Sequence, residues 1–281
     1  MQPFILIYSL LPYSSSQLPV LRNSDDFFPN VPSSHPWHIF ANAMNNLYTS
    51  HLAALPDWDM FQSFLPTYGT MHAAARCISG GPIYITDSPG KHNLSLIKQM
   101  SGKPIGSEGL ISLRPSRVAL VSDPFVEYNG TKLLRVGNFV GGKGGSGLLA
   151  IFNTSTQPIT ELILLKDFPG IIQGERYIVR AFSADMVTDM GILGDLEPKS
   201  ISITLPPCGW EFLTAARVTP LGEHFVGTLG LMDKIVGAAA VVEQVVKLPE
   251  MSVQRASIAV KVKALGKLGM LILIHQVRIG K

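Results

Sequence analysis

The chain changes rhythm once, and that change limits its fold more than any other feature. Up to about residue 105, short apolar segments alternate with helical patterns, the order expected of βα units. "LPVLR" (18–22), "PDWDMF" (56–61) and "PIYITD" (82–87) read as strands. "SHPWHIFANAMNNLYTSHLAAL" (34–55) reads as a helix that sets Ile39, Phe40, Ala43, Met44, Leu47 and Leu52 largely on one face. "GTMHAAARCISGG" (69–81) is an alanine-rich helix stopped by Gly80 and Gly81, and "HNLSLIKQMSG" (92–102) a third helix closed by Gly102. Beyond that point only strand-like runs remain: "RVALVSD", "KLLRVGNFV", "GLLAIFN", "ELILL", "RYIVRAF", "SISITL" and "GWEFLTAARV". "LGLMDKIVGAAAVVEQVVKL" mixes alanines with valines and is taken as strands. The expectation is an α/β unit over residues 1–105 and an antiparallel β-sandwich over 106–281.

With 281 residues and 46% hydrophobic content, the chain can bury a core in one large domain or two modest ones. Charged residues make up 15%, against about 25% in ordinary soluble domains. A net charge of +3 with no basic run favours neither a nucleic acid nor a membrane as partner. Cys77 and Cys208 lie too far apart for a metal-binding spacing and read as buried thiols, so neither a metal nor a cofactor is expected. No lysine or arginine precedes the apolar run of "MQPFILIYSLLPYSSSQLP", which Tyr8, Ser9 and Pro12 interrupt, so it does not read as a secretory signal. No stretch approaches the roughly 18 apolar residues that span a bilayer. The expectation is therefore a soluble, cytoplasmic protein, in which the triplets beginning at Asn93, Asn129 and Asn153 are not glycan acceptors. "GNFVGGKG" (137–144) nearly matches a phosphate-binding loop, but Gly144 stands where Ser or Thr is required; "GKGGSG" (142–147) fits a dinucleotide fingerprint. Strand-like runs flank both, so they read as a hairpin connection. Arg76 reads as an anchor for its helix, Cys77 as helix packing, and Trp37 and the histidines other than His92 as packing or capping residues.

The acidic residues of the first part are all aspartates, and each group follows a strand-like segment: Asp25 and Asp26, Asp57 and Asp59, and Asp87. Singly, such residues are turn formers and helix caps. Together, at the carboxyl ends of parallel strands, they would converge on one rim, where repelling carboxylates suit a polyhydroxylated or cationic ligand. Paired carboxylates are also what glycoside chemistry needs, one as proton donor and one as nucleophile or base.

"RNSDDFFPNVPSSHPWHIFANAMNNLYTSHLAALPDWDMFQS" followed by "HAAARCISGGPIYITDSPGKHN" resembles the carboxyl-terminal part of the barrel in the raffinose synthase and seed imbibition protein family, relatives of the α-galactosidases. A looser likeness continues through "LLRVGNFV", "GLLAIFN", "GWEFLTA" and "LGLMDKIVGAAAVV", the last group being most similar to fungal members. The resemblance implies the last three or so units of a (β/α)8 TIM barrel followed by a β-sandwich domain. It also implies a retaining glycoside hydrolase or galactosyltransferase acting on raffinose-family sugars, galactinol or sucrose. In related α-galactosidases the acid/base aspartate lies four positions after an arginine, which points from Arg22 to Asp26. Arg22 would then hold a carboxylate or sugar hydroxyl, and Asp25 would assist. Asp57 and Asp59 would bind sugar hydroxyls, Trp58 would offer a stacking face, and Asp87, Lys91 and His92 would line the acceptor side. The family's nucleophile sits in a Lys-x-Asp segment on an earlier strand, and none precedes Arg22. The expectation is a truncated chain that lacks the nucleophile and is inactive alone; the alternative is a non-catalytic carbohydrate-binding or inert fragment.

Overall fold

The computed structural model describes residues 19–141, 145–222, 224–247 and 257–273, and the first of these spans opens with three parallel staves and the helices between them. Strand β1 (Val20–Arg22) pairs parallel with β2 (Leu55–Asp57), placing Arg22 opposite Asp57. After Trp58 and Asp59, β3 (Met60–Phe61) pairs parallel with β4 (Tyr84–Ile85). Helix α1 (Ser34–Thr49) joins β1 to β2, and α2 (Gly69–Ser79) joins β3 to β4. A parallel pairing needs such a crossover, because a hairpin turn would return the chain antiparallel. Helix α3 (Leu94–Met100) follows, its amino end capped by the Asn93 side chain, which accepts from the Leu96 amide at 3.0 Å.

The helices differ in detail from their sequence reading. Helix α1 stops at Thr49 and gives way to a 3₁₀ turn, so Leu52 is exposed and Leu55 belongs to the next strand. Its buried stripe runs through His35, His38, Ile39, Asn42, Ala43 and Asn46, at the spacing of one helical face but mostly polar. Two of those polar side chains meet backbone carbonyls beside strands, His38 that of Trp58 and Asn46 that of Ala119, while His35 meets the Pro29 carbonyl and Asn42 the His38 carbonyl of its own helix. Helix α3 is not closed by a glycine: Ser101–Gly102 is extended and pairs antiparallel with Ile111–Ser112.

Beyond α3, every pairing between strands among the described residues is antiparallel. A six-stranded sheet runs in the order Met186–Ile192, Arg176–Ala181, Trp210–Arg217, Ser146–Phe152, Leu134–Val140, Leu120–Val121. One face, carrying Leu134, Val136, Leu148, Ala150, Phe152 and Phe212, shares a core with Ile39, Met71, Ala74 and Ile78 of the helices. The opposite face, with Leu149, Ile151, Tyr177, Val179 and Leu213, packs on Ile159–Leu164 and Ser200–Leu205. A strand covered on both sides has no reason to alternate, which explains the unbroken apolar run of "GLLAIF". The strand Met186–Ile192 lies at the sheet edge with Met186, Val187 and Ile192 exposed, and Thr188, Asp189 and Gly191 interrupt its apolar run, so it escapes a reading based on hydrophobicity. The alanine-and-valine stretch is split: the strand His224–Leu231 ends, a 3₁₀ turn takes Gly237–Ala240, and the strand Val241–Lys247 follows.

Antiparallel pairing of Val140 with Ser146 supports a hairpin where the glycine-rich motif lies, although residues 142–144 fall outside the described residues, as does the amino-terminal apolar run up to residue 18. Cys77 is fully buried and its thiol is pushed up to about 12 by that burial, whereas Cys208 is only half-buried. Asn153 is buried, its amide donating to the carbonyls of Gln157 and Leu205, so that triplet serves a turn. Among the described residues no helix is long and apolar enough to cross a membrane.

Helix α2 sits between the parallel strands and the sheet and is buried at nearly every position, which its alanines allow. Its cap, Gly80, has φ 85°, and a Cβ there would stand 1.8 Å from the Arg117 carbonyl oxygen. Gly80→Ala should therefore cost about 2–4 kcal/mol, from the left-handed backbone and the clash together. Urea unfolding measures this, and a loss within about 0.5 kcal/mol, the range of ordinary surface changes, would contradict it.

Candidate active site

The ends of the parallel strands carry the aspartates, and one arginine ties two groups of them together. Arg22 closes β1 and its Nη2 lies 2.6 Å from Asp59 Oδ2 and 3.0 Å from Asp26 Oδ1. The two acids sit in opposite environments. Asp59 is 5% exposed and the same Oδ2 also accepts from the Phe27 amide at 2.7 Å, so its charge is paired within the protein. The Asp26 side chain is 79% exposed and, among the described residues, held only by Arg22. Asp25 beside it is exposed.

Asp57 is half-buried and bends its carboxylate over the next turn, Oδ1 accepting from the Asp59 amide at 2.8 Å. That turn breaks the stave into β2 and β3 and puts Asp59 at φ 61°, a left-handed conformation that aspartate tolerates better than most residues. The break is what turns the Asp59 carboxylate toward Arg22.

Three sequence readings are corrected here. Trp58 has no exposed surface; it is packed in the core, its indole N–H donating to Asn46 Oδ1 at 3.0 Å, so it offers no face to a sugar. Asp59 is almost without solvent access and its charge is paired with Arg22, which removes it as a hydroxyl ligand. The Asp87 side chain is likewise fully buried: it accepts from the Ser63 amide at 2.6 Å, from the Ser63 hydroxyl, and faces His92 Nδ1 at 3.2 Å. Ser63 Oγ in turn accepts from the Asn93 amide at 2.9 Å, so Asp87 ties the loop after β3 to the start of α3. Of the acceptor-side residues, Lys91 and His92 are exposed, Lys91 with its ammonium 5.9 Å from the Phe64 ring.

Beneath these strand ends lies a polar network whose function the sequence does not announce. Arg76, fully buried on α2, donates from Nη2 to the carbonyls of Trp58 (2.8 Å) and Met60 (3.1 Å) and from Nε to that of Asp59 (3.3 Å). Its Nη1 donates to His72 Nδ1 at 2.6 Å, and its guanidinium lies 5.5 Å from the Phe61 ring centre. Burial pulls this guanidinium down to about 9, while the charges of Asp59 and Asp57 pull it back. His72 Nε2 lies 2.8 Å from His35 Nδ1, and His35 Nε2 lies 3.2 Å from the Pro29 carbonyl. His38 Nε2 faces the Trp58 carbonyl at 3.2 Å. Burial, reinforced by the Arg76 charge, holds His72 well below the ordinary histidine value and His38 down at about 3; His35 is lowered by burial as well. All three rings are therefore neutral near pH 7.

Among the described residues there is no group of three His, Cys, Asp or Glu side chains able to hold a metal ion. A cavity of about 390 Å³, lined among others by Ser146, Arg217, Thr228 and Gln244, lies in the β-domain and contains none of these site residues.

Parallel strands ending in an arginine-linked acid cluster, followed by an antiparallel β-domain, define a mixed α/β and all-β protein with a strand-end acidic site. The chain belongs to the raffinose synthase or seed imbibition protein Sip1 family, whose model matches residues 9–277. It is 41% identical over 143 residues to "Probable galactinol–sucrose galactosyltransferase 6" of Arabidopsis thaliana, covering 50% of this chain and 18% of that protein. It is 31% identical over 255 residues to "Probable galactinol–sucrose galactosyltransferase 1" of Arabidopsis thaliana, covering 82% of this chain and 32% of that protein. The chain thus spans between 18% and 32% of the length of these curated relatives. Both are plant proteins and lend no support to the likeness to fungal members. Among solved structures, alpha-galactosidase I from Mortierella vinacea superposes with a TM-score of 0.46 at 13% identity, over 70% of this chain and 52% of that one.

The neutral histidines set a pH dependence. His38 has about 3 in the folded chain against the ordinary 6.5, so below pH 6.5 the unfolded chain binds more protons. The stabilisation is complete above pH 6.5 and is lost progressively as pH falls toward 3. Between pH 6.5 and 4.5 the unfolding free energy should fall by up to about 1.4 kcal/mol per pH unit on account of His38. His38→Gln, which can still donate to the Trp58 carbonyl, should flatten that slope by about one histidine's share. An identical slope in the variant, read from urea midpoints, would contradict the neutral assignment.

Proposed function

We propose that this chain is the acid/base-bearing part of an α-galactoside-active enzyme of raffinose synthase type, in which β1 to β4 and the three helices are consecutive units of a (β/α)8 barrel. The observation that carries the reading is Asp26: an exposed carboxylate at the carboxyl end of a parallel strand, held at 3.0 Å by an arginine that is itself fixed to buried Asp59. In such barrels the chemistry is set at the carboxyl ends of the strands, where Arg22, Asp57 and Asp87 also stand.

In this role Asp26 protonates the glycosidic oxygen as the galactose–aglycone bond breaks, then takes the proton from the incoming hydroxyl. Arg22 fixes the direction of the carboxylate, and Asp59 keeps Arg22 from following it into solvent. Asp25 and Asp57, with Lys91 and His92 beyond β4, are the polar side chains left to meet sugar hydroxyls. Galactinol as donor and sucrose as acceptor are the substrates suggested by the relatives' names. Retention of configuration requires a nucleophilic carboxylate about 5–5.5 Å from the acid; the sequence holds no Lys-x-Asp segment, so its residues supply the acid/base half of the reaction.

The test places residues 20–273 in the matching part of the Arabidopsis galactosyltransferase 1 relative and measures galactose transfer from galactinol to sucrose. Asp26→Asn should lower turnover by about 10²–10⁴-fold, the usual worth of a positioned acid/base. Equal turnover in parent and variant would remove Asp26 from the mechanism. A folded chimaera that binds the sugars without turning them over would favour the non-catalytic, carbohydrate-binding reading.

A further inference from the structure

Arg76 is an expensive residue to bury, and core packing alone does not explain it. An apolar side chain of similar volume would fill the space without desolvating a cation. What an apolar side chain cannot do is donate to three consecutive carbonyls, those of Trp58, Asp59 and Met60, across the left-handed turn between β2 and β3. That turn aims the Asp59 carboxylate at Arg22 and at the Phe27 amide.

The fourth contact of Arg76 has a direction. A guanidinium only donates, so His72 Nδ1 must accept and the His72 proton must sit on Nε2. His72 Nε2–H then donates to His35 Nδ1, which puts the His35 proton on Nε2, where it donates to the Pro29 carbonyl. Both ends of the series agree, since a carbonyl only accepts. The Phe27 ring fits among these imidazoles edge-on, its centre 5.5 Å from His35 and 5.1 Å from His72. The loop that carries Asp26 is therefore gripped at the Phe27 amide through Asp59 and at the Pro29 carbonyl through His35, and both grips lead back to Arg76.

We propose that Arg76, His72 and His35 form a positioning relay that fixes the Asp26 loop, Arg76 through the Asp59 turn and the two histidines through Pro29. This rests on the reading of Asp26 as the acid, for which the relay supplies the backbone placement that an exposed side chain cannot supply for itself.

The experiment uses the chain itself, labelled with ¹⁵N. In the unmodified protein at pH 7, His35 and His72 should each show a protonated Nε2 and an unprotonated Nδ1; an Nδ1–H signal from either ring would overturn the relay without any mutation. His72→Leu, which can neither accept from Arg76 nor donate to His35, should speed exchange of the Phe27 amide by about tenfold or more through local opening. Arg76→Met should do the same. His72→Gln can accept through Oε1 and donate through Nε2–H, so it should restore exchange to within about threefold of the parent. Folded Leu and Met variants with parental Phe27 exchange, or a folded Gln variant that fails to restore it, would overturn the proposal. These readouts do not depend on Asp26 chemistry, so an inactive Asp26 and a broken relay are told apart. In the chimaera, His72→Leu should lower kcat for galactinol by about tenfold or more with KM little changed, since misplacing the acid by an ångström costs turnover rather than binding.

Discussion

A carboxylate with almost no access to water must be neutralised and hydrogen-bonded where it stands. Asp59 meets both conditions through Arg22 at 2.6 Å and the Phe27 amide at 2.7 Å. Those two bonds define the strand-end cluster. They fix the end of β1 against the turn that follows β2, and they leave Arg22 one further direction, toward Asp26. The buried acid is thus structural, the exposed one is available, and the same guanidinium serves both.

The surrounding architecture makes that arrangement rigid. Helix α2 is enclosed between the parallel strands and the six-stranded sheet, and side chains cross the boundary at several points: Asn138 donates to the carbonyls of Ile78 and Arg117, Trp210 to the Thr70 hydroxyl, and Asn46 to the Ala119 carbonyl. Asn46 also accepts from Trp58 and from the Asn23 amide, so one side chain on α1 links both strand ends to the sheet. The β-domain therefore supports the candidate site by packing, although none of the predicted site residues lies on it.

Sequence patterning made much of this legible, for identifiable reasons. The change of rhythm near residue 105, the alanine-rich α2 with its glycine stop, and the seven strand-like runs all follow from periodicity and turn residues, which respond to burial on one face or two. Arg22 and Asp26, four residues apart, were legible through a family motif, and they do meet. Trp58 was not: a tryptophan between two aspartates has the same spelling whether it faces a sugar or the core, and only the Asn46 acceptor on α1 decides. The burial of Asp59 and Asp87 is hidden for the same reason, since their partners, Phe27 and Ser63, are 32 and 24 residues away. The polar stripe of α1 and the Arg76 network were hidden because buried polar residues defeat hydrophobic periodicity. The one available signal was Arg76 itself, a lone cation within an alanine-rich helix.

The claim that Arg22 is anchored by Asp59 and only then offered to Asp26 is tested most directly by double-mutant cycles on stability, with Arg22→Gln against Asp59→Asn and separately against Asp26→Asn. The Arg22–Asp59 pair should couple by about 1–3 kcal/mol, while the exposed Arg22–Asp26 pair should couple by less than about 1 kcal/mol and lose that in high salt. An Arg22–Asp59 coupling within about 0.3 kcal/mol of zero would contradict the anchoring and leave Asp26 without the support described here.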